Sequence, residues 1–172
     1  MKTKHIRDRE IDRLKRYANG LGVSVNLIYK DSHKDSGDWT TDGTQIRVFV
    51  VKNTTKTDII LTLIHELGHH LWFIHEKERA PDLKFEEALS YPGDNIPKKH
   101  RKKILEIEQQ GVEYWDVIVK DVNIKIPKFK IDMSAEFDVW QYEVYYETGE
   151  FPDNDQKRAK HKELLAKYKP KG

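Results

Sequence analysis

The stretch from about Asp58 to His75 constrains the fold more than any other part of this sequence. It carries apolar side chains in nearly every direction around a helix, and it is too long and too rich in leucine for a strand. Residues 53–58, just before it, include several side chains that cap helix N-termini. A helix without a polar face has to be buried. We therefore predict a central helix around which the rest of the chain packs.

The remaining pattern predicts an α+β fold. Two alternating segments are expected to pair as a small antiparallel sheet packed on the central helix. An extended piece is expected to end at Pro127, and residues 79–97 are expected to form a long surface connection with a short turn at 85–89. The predicted helices cover about 8–19, 58–75, 99–119, 133–148 and 156–169, and the predicted strands cover 23–29 and 46–51.

Length and composition limit the classes of function. The 172 residues fit one domain, with a core over about 8–127 and a C-terminal helical extension over about 131–170. The sequence has no cysteine, which excludes disulfides, thiolate catalysis and cysteine-ligated zinc. No apolar run approaches the roughly 20 residues of a membrane span, and the charged start lacks a secretory signal. We expect a cytoplasmic protein that does not enter a membrane.

The charge balance argues against nucleic acid as the main partner. The chain has 31 basic and 29 acidic residues, so its formal net charge is only +2. Basic clusters occur at 98–103 and 157–171, but runs of this kind are typical of solvated helix faces.

The central helix carries the sequence His65-Glu66-Leu67-Gly68-His69, which has the form H-E-x-x-H. Residues four apart lie on one face of a helix, so both imidazoles can bind one zinc ion at about 2.0–2.1 Å. Glu66 is then placed to take a proton from a zinc-bound water that attacks a peptide carbonyl. Two histidines and a glutamate in a buried helix would be costly without partners, which favours zinc hydrolysis over a chance match or a degenerate site.

A catalytic zinc site needs a third protein ligand. His75 has the spacing of a longer histidine motif, but Trp72 replaces the glycine that would let the helix turn, and an unbroken helix carries His75 roughly 15 Å from His65. Glu108 lies on the apolar stripe of the next long helix, where a carboxylate needs a metal or a cation, and it is our preferred ligand. Glu136, which begins an acidic ridge in the following helix, remains an alternative.

The sequence at this point resembles the ImmA/IrrE-type metallopeptidases. The resemblance covers roughly residues 8–127, is strongest over 65–69, and includes a loose match over 108–115 to the stretch that carries the family's third ligand. It implies a minimal zincin-like domain of the gluzincin type, with zinc held by His65, His69 and Glu108. It also implies a protein or peptide substrate, such as a repressor-like regulator.

Two other functions stay open on sequence alone. The domain could be a non-catalytic binding module of the same fold, which the intact Glu66 argues against, or a DNA-associated zinc protease, which the basic cluster at 98–103 favours. The group that stabilises the oxyanion also stays open. The candidates are Tyr91, His70, His100, Tyr114 and Tyr142, and His70 alternatively serves in packing.

Overall fold

A computed structural model describes residues 8–32, 36–40, 43–76 and 96–168. The described part is an α+β fold with a small mixed sheet. Its helices are α1 (Arg9–Gly20), α2 (Lys56–Glu76), α3 (Lys98–Glu113), α4 (Trp115–Val122), α5 (Lys128–Thr148) and α6 (Asn154–Tyr168), and its strands are β1 (Ser24–Tyr29), β2 (Gly37–Trp39) and β3 (Gln45–Val50). The surface connection predicted over 79–97, its turn at 85–89 and Tyr91 lie wholly or largely outside the described residues.

The sheet differs from the antiparallel pair that the sequence predicts. Its strand order is β1-β3-β2, with β1 parallel to β3 and β2 antiparallel to β3. The predicted antiparallel pairing was wrong because the chain reverses direction twice between the two longer strands, once before β2 and once after it. Reversing twice returns β3 to the direction of β1.

Helix α2 is the centre of the fold, as predicted. It contacts α1, β2, β3, α3 and α4. Four of its aliphatic side chains, Ile59, Ile60, Leu63 and Ile64, have no exposed surface. Ile46, Val48 and Val50 of β3 alternate into the same apolar core.

The downstream helices begin and end at different residues from those predicted. The long third helix is two helices, because the chain bends at Tyr114, one turn after the weak helix former Gly111. Helix α5 begins at Lys128, directly after Pro127, instead of at Met133. Apolar and basic residues alternate before Met133, which is a pattern typical of an extended segment. The helix nevertheless begins at Lys128, because a proline is well tolerated at the start of a helix. Within the described residues, no helix has the length and apolar character needed to cross a membrane.

A pair of glycines brings α2 and α3 together. A Cβ atom on Gly68 would lie 2.5 Å from the backbone oxygen of Gly111, and a Cβ atom on Gly111 would lie 3.0 Å from Nδ1 of His69. The close neighbour of Gly68 is thus the backbone of another helix. Gly68 and Gly111 each lie three residues after a predicted ligand, His65 and Glu108, so the close approach brings those two side chains face to face.

Candidate metal centre

Three of the predicted side chains converge between α2 and α3. Nε2 of His65 lies 3.0 Å from Nε2 of His69, and Oε2 of Glu108 lies 3.6 Å from the first and 3.3 Å from the second. In a tetrahedral zinc site with bonds of about 2.0–2.1 Å, ligand atoms are about 3.3–3.4 Å apart. The three atoms therefore have the spacing of one face of such a site.

The carboxylate of Glu108 has an unsatisfied oxygen. Its Oε2 atom is buried and receives no well-aligned hydrogen bond from the described part of the chain. A buried carboxylate oxygen without a donor is costly, and a cation placed between it and two imidazoles removes that cost. The donor set of two imidazoles and one carboxylate is one that zinc uses in catalytic sites. The residues present therefore fit a zinc ion.

Glu66 lies at the same centre and is buried. One of its carboxylate oxygens is within 4.8 Å of a ring nitrogen of each histidine. Its Oε1 atom lies against β2, since a Cβ atom on Gly37 would be 3.2 Å from it. Burial raises the pKa of Glu66, and the attraction of the two histidines only partly offsets this. A carboxyl group with a raised pKa is a better proton acceptor near neutral pH than an exposed one.

Asp138 of α5 contacts the histidine that begins the motif. Its Oδ2 atom lies 3.4 Å from Nδ1 of His65. Burial lowers the pKa of the His65 imidazole, but the bond to Asp138 and the charges of Glu108 and Glu66 outweigh burial and raise the pKa to about 10. The site thus attracts positive charge at His65, and a metal ion would take the place of the proton. The other histidine has no such partner among the described residues, where Nδ1 of His69 is buried without a hydrogen bond.

Tyr142 lies one helical turn after Asp138 and faces the same centre. Its hydroxyl lies near Glu108, and the negative charge of Glu108, followed by burial, raises the pKa of Tyr142 well above its ordinary value. The phenol therefore stays protonated and is available as a hydrogen-bond donor. It lines one cavity together with His65, Glu66, His69 and Glu108.

The alternative ligands lie elsewhere. His75 is exposed near the end of the unbroken helix α2, where its ring stacks on Tyr114 at 5.7 Å. Glu136 accepts hydrogen bonds from Lys167 at 2.5 Å and from Tyr168 at 2.7 Å, so its carboxylate joins α5 to α6.

Two of the other candidate oxyanion donors, His70 and Tyr114, make different contacts. His70 accepts a hydrogen bond from the Trp39 indole at 3.3 Å, and its Nε2 atom lies 3.2 Å from the carbonyl oxygen of Leu21, which is the packing role considered from sequence. Tyr114 is occupied by the stack with His75. Of the candidates that the structure describes, Tyr142 is the one that lines the cavity, where it lies near Glu108.

Sequence reasoning missed Asp138 altogether. The signal was present, because Asp138 and Tyr142 are four apart in a predicted helix and so share a face. The glutamate ridge is the more conspicuous pattern in that helix, and Asp138 and Tyr142 form a smaller polar pair on another side. The basic cluster at 98–103 is largely used within the molecule, since Lys98 pairs with Glu147 at 3.0 Å and Arg101 donates to the backbone oxygen of Tyr145 at 3.0 Å.

Comparisons of the chain with models of protein families, with curated proteins and with solved structures found no significant match. Function therefore has to be inferred from the side chains of the centre.

Proposed function

We propose that the protein is a zinc-dependent peptidase with a zincin-like fold, in which His65, His69 and Glu108 bind the metal. The observation that carries this proposal is the face formed by two Nε2 atoms and one buried, unsatisfied carboxylate oxygen, with mutual distances of 3.0–3.6 Å. The resemblance to ImmA/IrrE-type metallopeptidases adds a protein regulator as the expected class of substrate.

Glu66 is the proposed proton carrier. When bound, zinc would supply Lewis acidity toward the attacking water and the substrate carbonyl. Glu66 accepts the proton that the water loses as it attacks, and it returns that proton to the nitrogen of the departing amine. Burial keeps the pKa of Glu66 raised, so that both halves of this transfer are accessible near neutral pH.

Two residues of α5 complete the proposed mechanism. Asp138 accepts from Nδ1 of His65, which fixes the ring with Nε2 toward the centre. The Tyr142 hydroxyl is the proposed donor to the oxyanion that forms as the carbonyl carbon becomes tetrahedral. Because the pKa of Tyr142 is raised, the phenol remains protonated and can donate to the developing charge.

The decisive experiment combines metal analysis with cleavage. The purified protein should bind about one zinc per chain and cleave unfolded protein substrates in a zinc-dependent way. Glu66→Gln should retain the zinc and reduce the cleavage rate by about 100- to 10,000-fold, because the amide cannot accept a proton. Glu106→Gln is the matched control, since that glutamate pairs with Lys102 on the surface of α3.

Each result bears on a different part of the proposal. A protein that takes up no added zinc would contradict the metal site. Loss of zinc from Glu66→Gln would show that Glu66 is a ligand, and full cleavage by the same variant would show that another group carries the proton.

A further inference from the structure

The cavity beside the proposed zinc site is lined by two unlike sets of side chains. It measures about 340 Å³, and the proposed ligands and Glu66 form the first set, which we call the polar wall. The second set, which we call the apolar wall, includes Ile104 and Ile107 of α3, Tyr145 of α5, and Phe151. A cavity that combines a few polar groups with apolar side chains is typical of a site that orients a ligand.

Phe151 leaves an aromatic surface uncovered at this cavity. Its ring stacks on Tyr145 with a centroid distance of 4.5 Å and an interplanar angle of 5°, and it meets Tyr142 edge-on at 5.3 Å. Despite these contacts, 50% of Phe151 remains exposed. Tyr145 is buried and Arg101 donates to its backbone oxygen at 3.0 Å, so the ring beneath Phe151 is held in place. A fixed, half-exposed ring offers apolar area that a ligand can cover at little entropic cost.

We infer that the apolar wall binds a large apolar side chain of the substrate residue next to the cleaved bond. This inference rests on the proposed peptidase function and specifies its substrate. A carbonyl carbon attacked at the polar wall is bonded directly to the Cα atom of its own residue, which is the residue on the N-terminal side of the cleaved bond. The side chain of that residue therefore has to lie within the same cavity, where phenylalanine or leucine buries apolar area against Phe151 and Ile104, and serine does not.

Two residues of the apolar wall come from the C-terminal extension. Tyr145 and Phe151 lie beyond residue 127, outside the region that resembles a known family. The preference for an apolar residue is therefore a property of this chain and its extension.

The inference can be tested by binding, without relying on turnover. Blocked heptapeptides that differ only in a central phenylalanine, leucine or serine are titrated by calorimetry into full-length, zinc-loaded Glu66→Gln protein. The phenylalanine and leucine peptides should bind about tenfold or more tightly than the serine peptide. Phe151→Ala and Ile104→Ala should each remove most of that difference, whereas Phe151→Leu should retain it. Val117→Ala is the matched control, because Val117 is 46% exposed on α4 and does not line the cavity.

The outcomes separate this inference from the proposed function. Equal binding of the three peptides, no measurable binding of any of them, or a preference that survives both Phe151→Ala and Ile104→Ala would overturn the pocket, even if the wild type cleaves peptides. A preference that depends on Phe151, in a wild type that cleaves nothing, would support the pocket and refute the peptidase.

Discussion

Replacing Glu108 by alanine should weaken zinc binding by about two to three orders of magnitude. Zinc sites with four protein ligands bind with about 10–16 kcal/mol, so one ligand is worth about 3–4 kcal/mol, or about 100- to 1,000-fold in affinity. The carboxylate oxygen lies 3.3 Å and 3.6 Å from the two imidazole nitrogens, and the residue is only 7% exposed, so water cannot easily take its place.

The same loss should appear in thermal stability. At a free zinc concentration about 1,000 times the dissociation constant of the wild type, binding stabilises the native state by about 4 kcal/mol. A variant that binds about 100- to 1,000-fold more weakly gains only about 0.4–1.4 kcal/mol under the same condition. In a chain of this size, 1 kcal/mol changes Tm by about 2–4 °C. Zinc should therefore raise Tm by about 8–16 °C in the wild type and by about 1–6 °C in Glu108→Ala.

The assay is a thermal melt across a series of chelator-buffered zinc concentrations, which gives affinity and stabilisation together. His75→Ala and Glu136→Ala serve as controls and should keep wild-type affinity, because the first residue stacks on Tyr114 and the second pairs with Lys167. Wild-type zinc affinity in Glu108→Ala would refute the assignment of the third ligand. Loss of affinity in Glu136→Ala instead would transfer that role to α5.

Two further substitutions test how the site is supported. Gly68→Ala should destabilise the protein to urea by about 3 kcal/mol, since the new Cβ would lie 2.5 Å from a backbone oxygen of α3, whereas Gly20→Ala, with nothing within 4 Å, should change stability by less than about 1 kcal/mol. Asp138→Asn should lower zinc affinity by about 10- to 100-fold because it weakens the contact that orients His65, and Asp132→Asn on the same helix should not. Unchanged urea stability in Gly68→Ala, or unchanged zinc affinity in Asp138→Asn, would contradict these roles.

The helices and the centre of the fold could be predicted because their signals are local. A segment that is apolar all round has to be buried wherever the chain places it, and two histidines four apart share a face whatever surrounds them. Glu108 could be identified as a buried carboxylate because its own helix shows the apolar stripe on which it lies. Its position 3.3–3.6 Å from the two imidazole nitrogens supports the proposed metal role.

The sheet could not be predicted to the same extent. Alternation identifies a strand but not its partner or direction. The three residues of β2 are too few for a periodic signal, and a prediction that omits β2 counts one reversal of the chain where there are two.

The sequence shows that Asp138 and Tyr142 share a helix face, but the contacts of that face and of Phe151 depend on tertiary packing. These residues become part of the site only because α5 packs against α3 and turns one face toward α2. The sequence predicts residues 131–170 as a helical extension of a core over about 8–127. In the structure, this part of the chain provides the Asp138 carboxylate that contacts His65, the Tyr142 phenol near Glu108 and the Phe151 ring that lines the cavity. The extension therefore belongs to the candidate site, and the H-E-x-x-H region alone does not contain all the side chains that surround the centre.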